Sequence, residues 1–190
     1  MGFWKAVTGR SEPARANLDA LFEVPSAAVT LQTEMGLTPT GEASVCYRAA
    51  AGAAFARTQG DVVELLQADP ATPAVRLTTD GFGFTWLTVT GDPADTAGLC
   101  TDLHAVNTSL EAEGFGPGLL CTLVPFADAA GRKVGLVYLY KQGTFYAFAP
   151  TGPQQRDNLL EIAVRDALAD ELPMEKEMGR WLAVWEAPGL

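Results

Sequence analysis

The chain has 190 residues, of which 48% are hydrophobic and 19% charged, and its formal net charge is −10. That apolar content supplies one sizeable core, which argues against disorder and favours a single domain over two. The acidic balance repels phosphate backbones and argues against nucleic-acid binding.

At the start of the chain, Lys5, Arg10 and Arg15 outnumber Glu12, so a basic extension (residues 1–15) precedes an acidic body. Phe3, Trp4 and Val7 can share one side of a short amphipathic turn, which Gly9 to Pro13 break. Leu18, Leu21 and Phe22 predict a short helix ending at Pro25. Ser26 as N-cap and Gly36 just past the end predict a second helix over 27–35, with a strand as the alternative because Val29 and Thr30 are β-branched. A turn at Thr38 to Gly41 leads to a strand near 43–48. Thr58 and Asp61 read as a capping box opening a helix that runs to about 68 and stops at Asp69-Pro70.

Val75 to Thr90 reads as a hairpin turning at Asp80-Gly81. Its second arm carries apolar groups on both faces, as a central strand does. Over 93–113, Leu99, Leu103, Val106 and Leu110 form one apolar stripe of a helix ending at Gly114. Three strands follow, Leu119–Phe126, Val134–Tyr140 and Phe145–Phe148, the first two joined by a turn at Asp128 to Gly131. Leu160, Val164, Leu168 and Leu172 mark a last helix over 154–172, capped by Thr151 and closed by Pro173. This order is not a regular β-α-β alternation. It predicts an α+β fold, a mainly antiparallel sheet with helices packed on one face, as one domain over 1–190 with a C-terminal aromatic tail over 174–190.

The three cysteines, Cys46, Cys100 and Cys121, are scattered among apolar neighbours and form no Cys-x-x-Cys or Cys/His cluster. They read as reduced core thiols, which fits the cytoplasm, and no metal or other cofactor is expected. The N-terminus lacks the long apolar run of a signal peptide, no stretch is long enough to span a bilayer, and Ala6 breaks the myristoylation pattern.

No catalytic constellation stands out, and the chain reads as a non-enzyme. His104 is the lone histidine, near Asp102, Asn107 and Ser109, and reads as the flank of an apolar stripe. Gly114 to Gly118 follows a helix, has the wrong spacing for a phosphate cradle and includes Pro117, which has no N–H to offer. Arg156 sits one turn into the last helix, and Asp166, Asp170 and Glu171 read as its solvated face. The candidate contact surfaces lie at the two ends: Phe3, Trp4 and Lys5 for a membrane or partner, and Met178, Trp181 and Trp185, with Met174, as interface anchors or core cover. Core cover is the preferred reading of the tail, whose spacing suits either a helix or a strand.

Several phrases occur together in order: Asn17-Leu-Asp-Ala-Leu-Phe22, Leu37-Thr-Pro-Thr-Gly41, Thr101 to Leu110, Gly114-Phe-Gly-Pro117, Val137-Tyr-Leu-Tyr-Lys141, Phe145 to Gly152 and Ala187-Pro-Gly-Leu190. With them the chain resembles the actinobacterial PspA-associated protein family PspAB over nearly its whole length, departing from it mainly over 49–97. The resemblance implies a small cytoplasmic accessory of the phage-shock, or envelope-stress, system. Its expected partner is a PspA-like protein, helical and acting at the inner face of the membrane, or an HtpX-like membrane protease linked by gene neighbourhood. It implies no catalytic residues. The fold is also similar in outline to YbjN-like and type III secretion chaperone-like domains, which admits a chaperone-like module holding a client segment as the alternative.

Overall fold

The computed structural model describes residues 17–68 and 75–190. A short 3-10 helix, Leu18–Glu23, runs directly into α1, Val24–Met35. Pro25 does not end a helix. It stands in the first turn of α1, where a missing N–H costs nothing, so Ser26 is not the cap. Leu18, Leu21 and Val24 are buried, whereas Phe22 is half exposed, because a three-residue period puts every third side chain on one face and turns Phe22 away. Gly36 ends α1 as expected, at φ 68°, a backbone conformation that an L side chain resists.

α2 spans Ala53–Leu66 and so begins well before Thr58, which lies buried in mid-helix and caps nothing. Phe55 decides this start. Its ring packs edge-on against Tyr47 and Phe115, at centroid distances of 5.7 and 4.9 Å, and draws the preceding turn into the helix. Val62 and Leu66 are buried and Val63 is partly buried. The Asp69-Pro70 stop lies outside the described residues.

The strands are β1 (Thr38–Pro39), β2 (Glu42–Tyr47), β3 (Val75–Thr79), β4 (Thr85–Thr90), β5 (Leu119–Ala127), β6 (Lys133–Leu139) and β7 (Thr144–Phe148). They form one antiparallel sheet in the order β3-β4-β2-β5-β6-β7, with β1 also paired to β5. β4 lies between β3 and β2, as its two apolar faces predict.

Helix α3, Thr96–Ala112, lies across one face of the sheet, capped by Asp95, whose side chain accepts from the Gly98 N–H at 2.9 Å. The stripe of Leu99, Leu103, Val106 and Leu110 is wholly buried. Asn107 is buried with it and does not belong to a solvated polar face. Its amide donates to the Leu103 carbonyl at 2.8 Å and the Thr122 hydroxyl at 2.9 Å, tying α3 to β5. α1 and α2 pack around α3, and α4 packs against β7.

α4 covers Asn158–Ala167, shorter than expected. The residues ahead of it pair as a small hairpin, β8 (Pro150–Gly152) with β9 (Gln155–Arg156), so Thr151 is not the cap. Asp157 takes that role, accepting from the Leu160 N–H at 3.0 Å. Arg156 therefore precedes the helix. It pairs with the buried Glu161 at 2.8 Å, and Glu161 also accepts from the Ala149 N–H. The stripe Leu160, Val164, Leu168 and Leu172 is buried to its end even though the regular helix stops at Ala167.

The fold is thus α+β with a mainly antiparallel sheet and its helices on one face. The opposite face is also apolar, carrying Cys46, Trp86, Cys121, Leu123, Val137, Leu139, Tyr146 and Phe148. No helix covers it. The tail does, from Trp181 to Leu190, after one bridge of Met174 to Phe145 and a 3-10 turn at Met178–Arg180, so it is neither the helix nor the strand its spacing allowed.

Candidate functional site

The covering segment, hereafter the strap, is held by side chains that reach out of the sheet. Tyr146 donates its hydroxyl to the Leu182 carbonyl at 2.8 Å, and Arg156 donates to the Trp181 carbonyl at 2.9 Å. Burial pushes the Tyr146 phenol well up, which keeps it a donor. Trp181 is only 6% exposed, stacks on Tyr146 with ring centroids 6.1 Å apart, and donates its indole N–H to the Glu175 carbonyl. Trp185 stands edge-on to Phe148 at 5.0 Å.

The β3–β4 loop forms the far wall. Asp80 Oδ1 accepts from the N–H groups of Phe82 and Phe84 at 3.0 and 2.9 Å, and Oδ2 accepts from Trp86 Nε1 at 3.0 Å. Desolvation raises the Asp80 carboxyl, but the hydrogen bonds from Trp86, Phe84, Phe82 and Gly83 outweigh it and hold the group below its ordinary value. The loop is longer than a two-residue Asp80-Gly81 turn. Gly83, at φ 82°, takes the left-handed position. Glu186 of the strap accepts from the Gly81 N–H at 2.7 Å, joining the two walls.

Between loop, sheet and strap lies a cavity of about 420 Å³. Trp86, Leu139 and Tyr146 line it from the sheet, together with Cys46 and Cys121, and Phe84 and Val184 close the sides. At the mouth stand Phe82, 65% exposed, and Leu182, 62% exposed, large apolar groups open to solvent on an acidic protein. A second, more open cavity of about 760 Å³ adjoins it through Phe82, Trp185 and Glu186, and includes Arg132 and Lys133.

Of the residues singled out in the sequence, Trp185 lines both cavities. Trp181 is core cover, and Met178 is half exposed on the strap. Phe3, Trp4 and Lys5 lie outside the described residues. His104 lines neither cavity; it rests on Phe22, with centroids 4.6 Å apart, and faces Asp19 at 3.3 Å. Gly114 to Gly118 is a helix-to-strand turn containing a short 3-10 segment. Asp166 and Asp170 are exposed, while Glu171 is half buried and accepts from Ser26. All three cysteines are buried free thiols.

Phe82, Leu182 and the meeting of Cys46 with Cys121 escaped the sequence. Their signal was indirect. Strands apolar on both faces need cover on both, and among the described residues the tail supplies the second.

Among the described residues no group of three or more His, Cys, Asp or Glu side chains is placed to hold a metal ion. Nor is any helix among them long and apolar enough to cross a membrane. A family model described as PspA associated protein B (PspAB) matches residues 1–189. No curated protein and no solved structure matches the chain.

Proposed function

Because the chain belongs to the PspA associated protein B family, we propose that it is a non-enzymatic adaptor of an envelope-stress system, working by protein–protein binding at the inner face of the membrane. Its partner is a PspA-related protein, which lays apolar side chains of a helical segment into the cleft between the Asp80–Phe84 loop and the strap. The observation that carries this reading is the cleft itself: an apolar cavity of about 420 Å³, within the size range of binding pockets, with Phe82 and Leu182 exposed at its mouth. Large solvent-exposed apolar groups at an apolar opening are what a binding surface needs and an isolated fold does not. Phe3, Trp4 and Lys5, in the N-terminal extension, supply a peripheral membrane contact. Trp181, being buried, anchors the strap and does not touch the partner.

The test is titration of a PspA-related protein from the same genome with the full chain, at physiological salt, with and without anionic vesicles. The double variant Phe82→Ser/Leu182→Ser is expected to weaken binding at least tenfold while stability stays within about 0.5 kcal/mol of the parent, as for exposed positions generally. Unchanged affinity would remove the cleft from the interface. Absence of binding by the parent chain in both conditions would remove the PspA-related partner. Capture of an HtpX-like membrane protease in its place would transfer the adaptor role to that partner.

A further inference from the structure

Cys46 on β2 and Cys121 on β5 are direct partners in the antiparallel register, and both side chains face away from the helices. Both border the cleft, Cys46 3% and Cys121 7% exposed. Two of three cysteines therefore meet across neighbouring strands at the wall of an opening. The third, Cys100, is sealed within the helix-covered core.

The spacing has a chemical consequence. Directly opposed residues on antiparallel strands have Cα atoms about 4.5 or 5.5 Å apart, and disulfides form over about 4.4–6.8 Å. A bond between these sulfurs thus requires side-chain rotation and little movement of the backbone. The neighbouring Cys121 thiol, and then burial, push the Cys46 thiol up, so Cys46 rests protonated.

We propose that Cys46 and Cys121 form a reversible dithiol–disulfide site, oxidised through the cleft by small disulfides. Cys121, the more exposed, attacks first as its thiolate. It forms a bond to one sulfur of the oxidant, whose own S–S bond breaks and whose other half leaves as a thiol. Cys46 then gives up its proton and attacks the Cys121 sulfur, expelling the second half as a thiol. Two electrons pass from the pair to the oxidant, and the two protons leave on the two thiols released. The site stands on the strand register and the opening, and does not depend on a partner in the cleft. If the adaptor reading holds as well, a bound partner shields the pair and slows its oxidation.

The experiment treats the folded full chain with 2-hydroxyethyl disulfide, an uncharged probe, and maps the unreduced digest by mass spectrometry. The expected result is a loss of about 2 Da from the intact chain, the two hydrogens of a dithiol oxidation. A Cys46–Cys121 cross-linked peptide, a free Cys100 and full reversal by dithiothreitol are expected with it. Cys100→Ser should keep the cross-link and Cys121→Ser should lose it. A persistent single adduct on Cys121, a link involving Cys100, or reaction only in urea would each overturn the proposal. Repeating the reaction with the PspA-related protein present separates the two readings. Cross-linking at an undiminished rate in a demonstrated complex would count against the cleft as the interface and leave the disulfide site standing.

Discussion

The two faces of the sheet are both closed, by opposite means. On the helix side, α3 and α4 lay apolar stripes against the strands, α1 and α2 pack around α3, and the helix backbones satisfy their own hydrogen bonds. On the strap side, an irregular segment has to borrow partners: the Trp181 carbonyl from Arg156, the Leu182 carbonyl from Tyr146, and Glu186 with the Gly81 N–H. Periodic cover fills a face evenly. Irregular cover fills it only where its anchors reach, and the cleft is the part left unfilled. The cleft and the thiol pair both lie on that side.

The largest loss of stability is expected from the helix side. Leu103 is fully buried at the centre of α3, and Leu103→Ala is expected to cost about 4 kcal/mol in urea unfolding, through lost burial and a cavity. Because the whole sheet depends on that face, hydrogen-exchange protection should fall throughout the core strands. On the strap side, Trp181→Ala removes one anchor and should cost about 3 kcal/mol, the low end for such truncations, because an irregular segment settles more readily than a helix. Protection should then be lost first in 182–187 and the strands keep theirs. A uniform loss in the Trp181→Ala chain would show the strap to be as integral as the helices.

The smallest effect sharpens the contrast through pH. The folded-state pKa of Asp80 lies below the unfolded value, so its contribution is fully present above about pH 3.9 and is lost as pH falls through the folded pKa. Glu175, at the base of the strap, behaves alike: desolvation raises it, but hydrogen bonds from the Glu177 N–H and Thr144 and the nearby Arg180 bring it down overall. Asp102 on α3 has the opposite sign. Desolvation, then the charge of Asp95, raises it, so acid relieves it. Asp80→Asn is expected to cost about 1 kcal/mol at neutral pH, discounted for solvent exposure, and to flatten the acid limb of a stability–pH profile. An unchanged limb would mean that the Asp80 hydrogen bonds do not steady the loop.

The helix-covered face was largely readable in advance. Stripes at Leu99 to Leu110 and Leu160 to Leu172 need only the helical period, and Gly36 and Gly114 mark ends that local backbone preference sets. Starts were less readable. Pro25 and Thr58 suit two positions each, and it was the 3-10 turn ahead of Pro25 and the packing of Phe55 on Tyr47 and Phe115 that chose between them. Thr151 lost its capping role because pairing of Pro150 with Arg156 takes up the residues before α4.

The strap face was readable only as a need. Composition, charge and periodicity carry the α+β class, the acidic surface and the buried thiols, since each depends on residues near one another in the chain. That Cys46 meets Cys121 and that Phe82 and Leu182 frame one opening depend on strand register and on where an aperiodic tail finds its anchors. Those contacts join residues distant in sequence, and no local pattern encodes them.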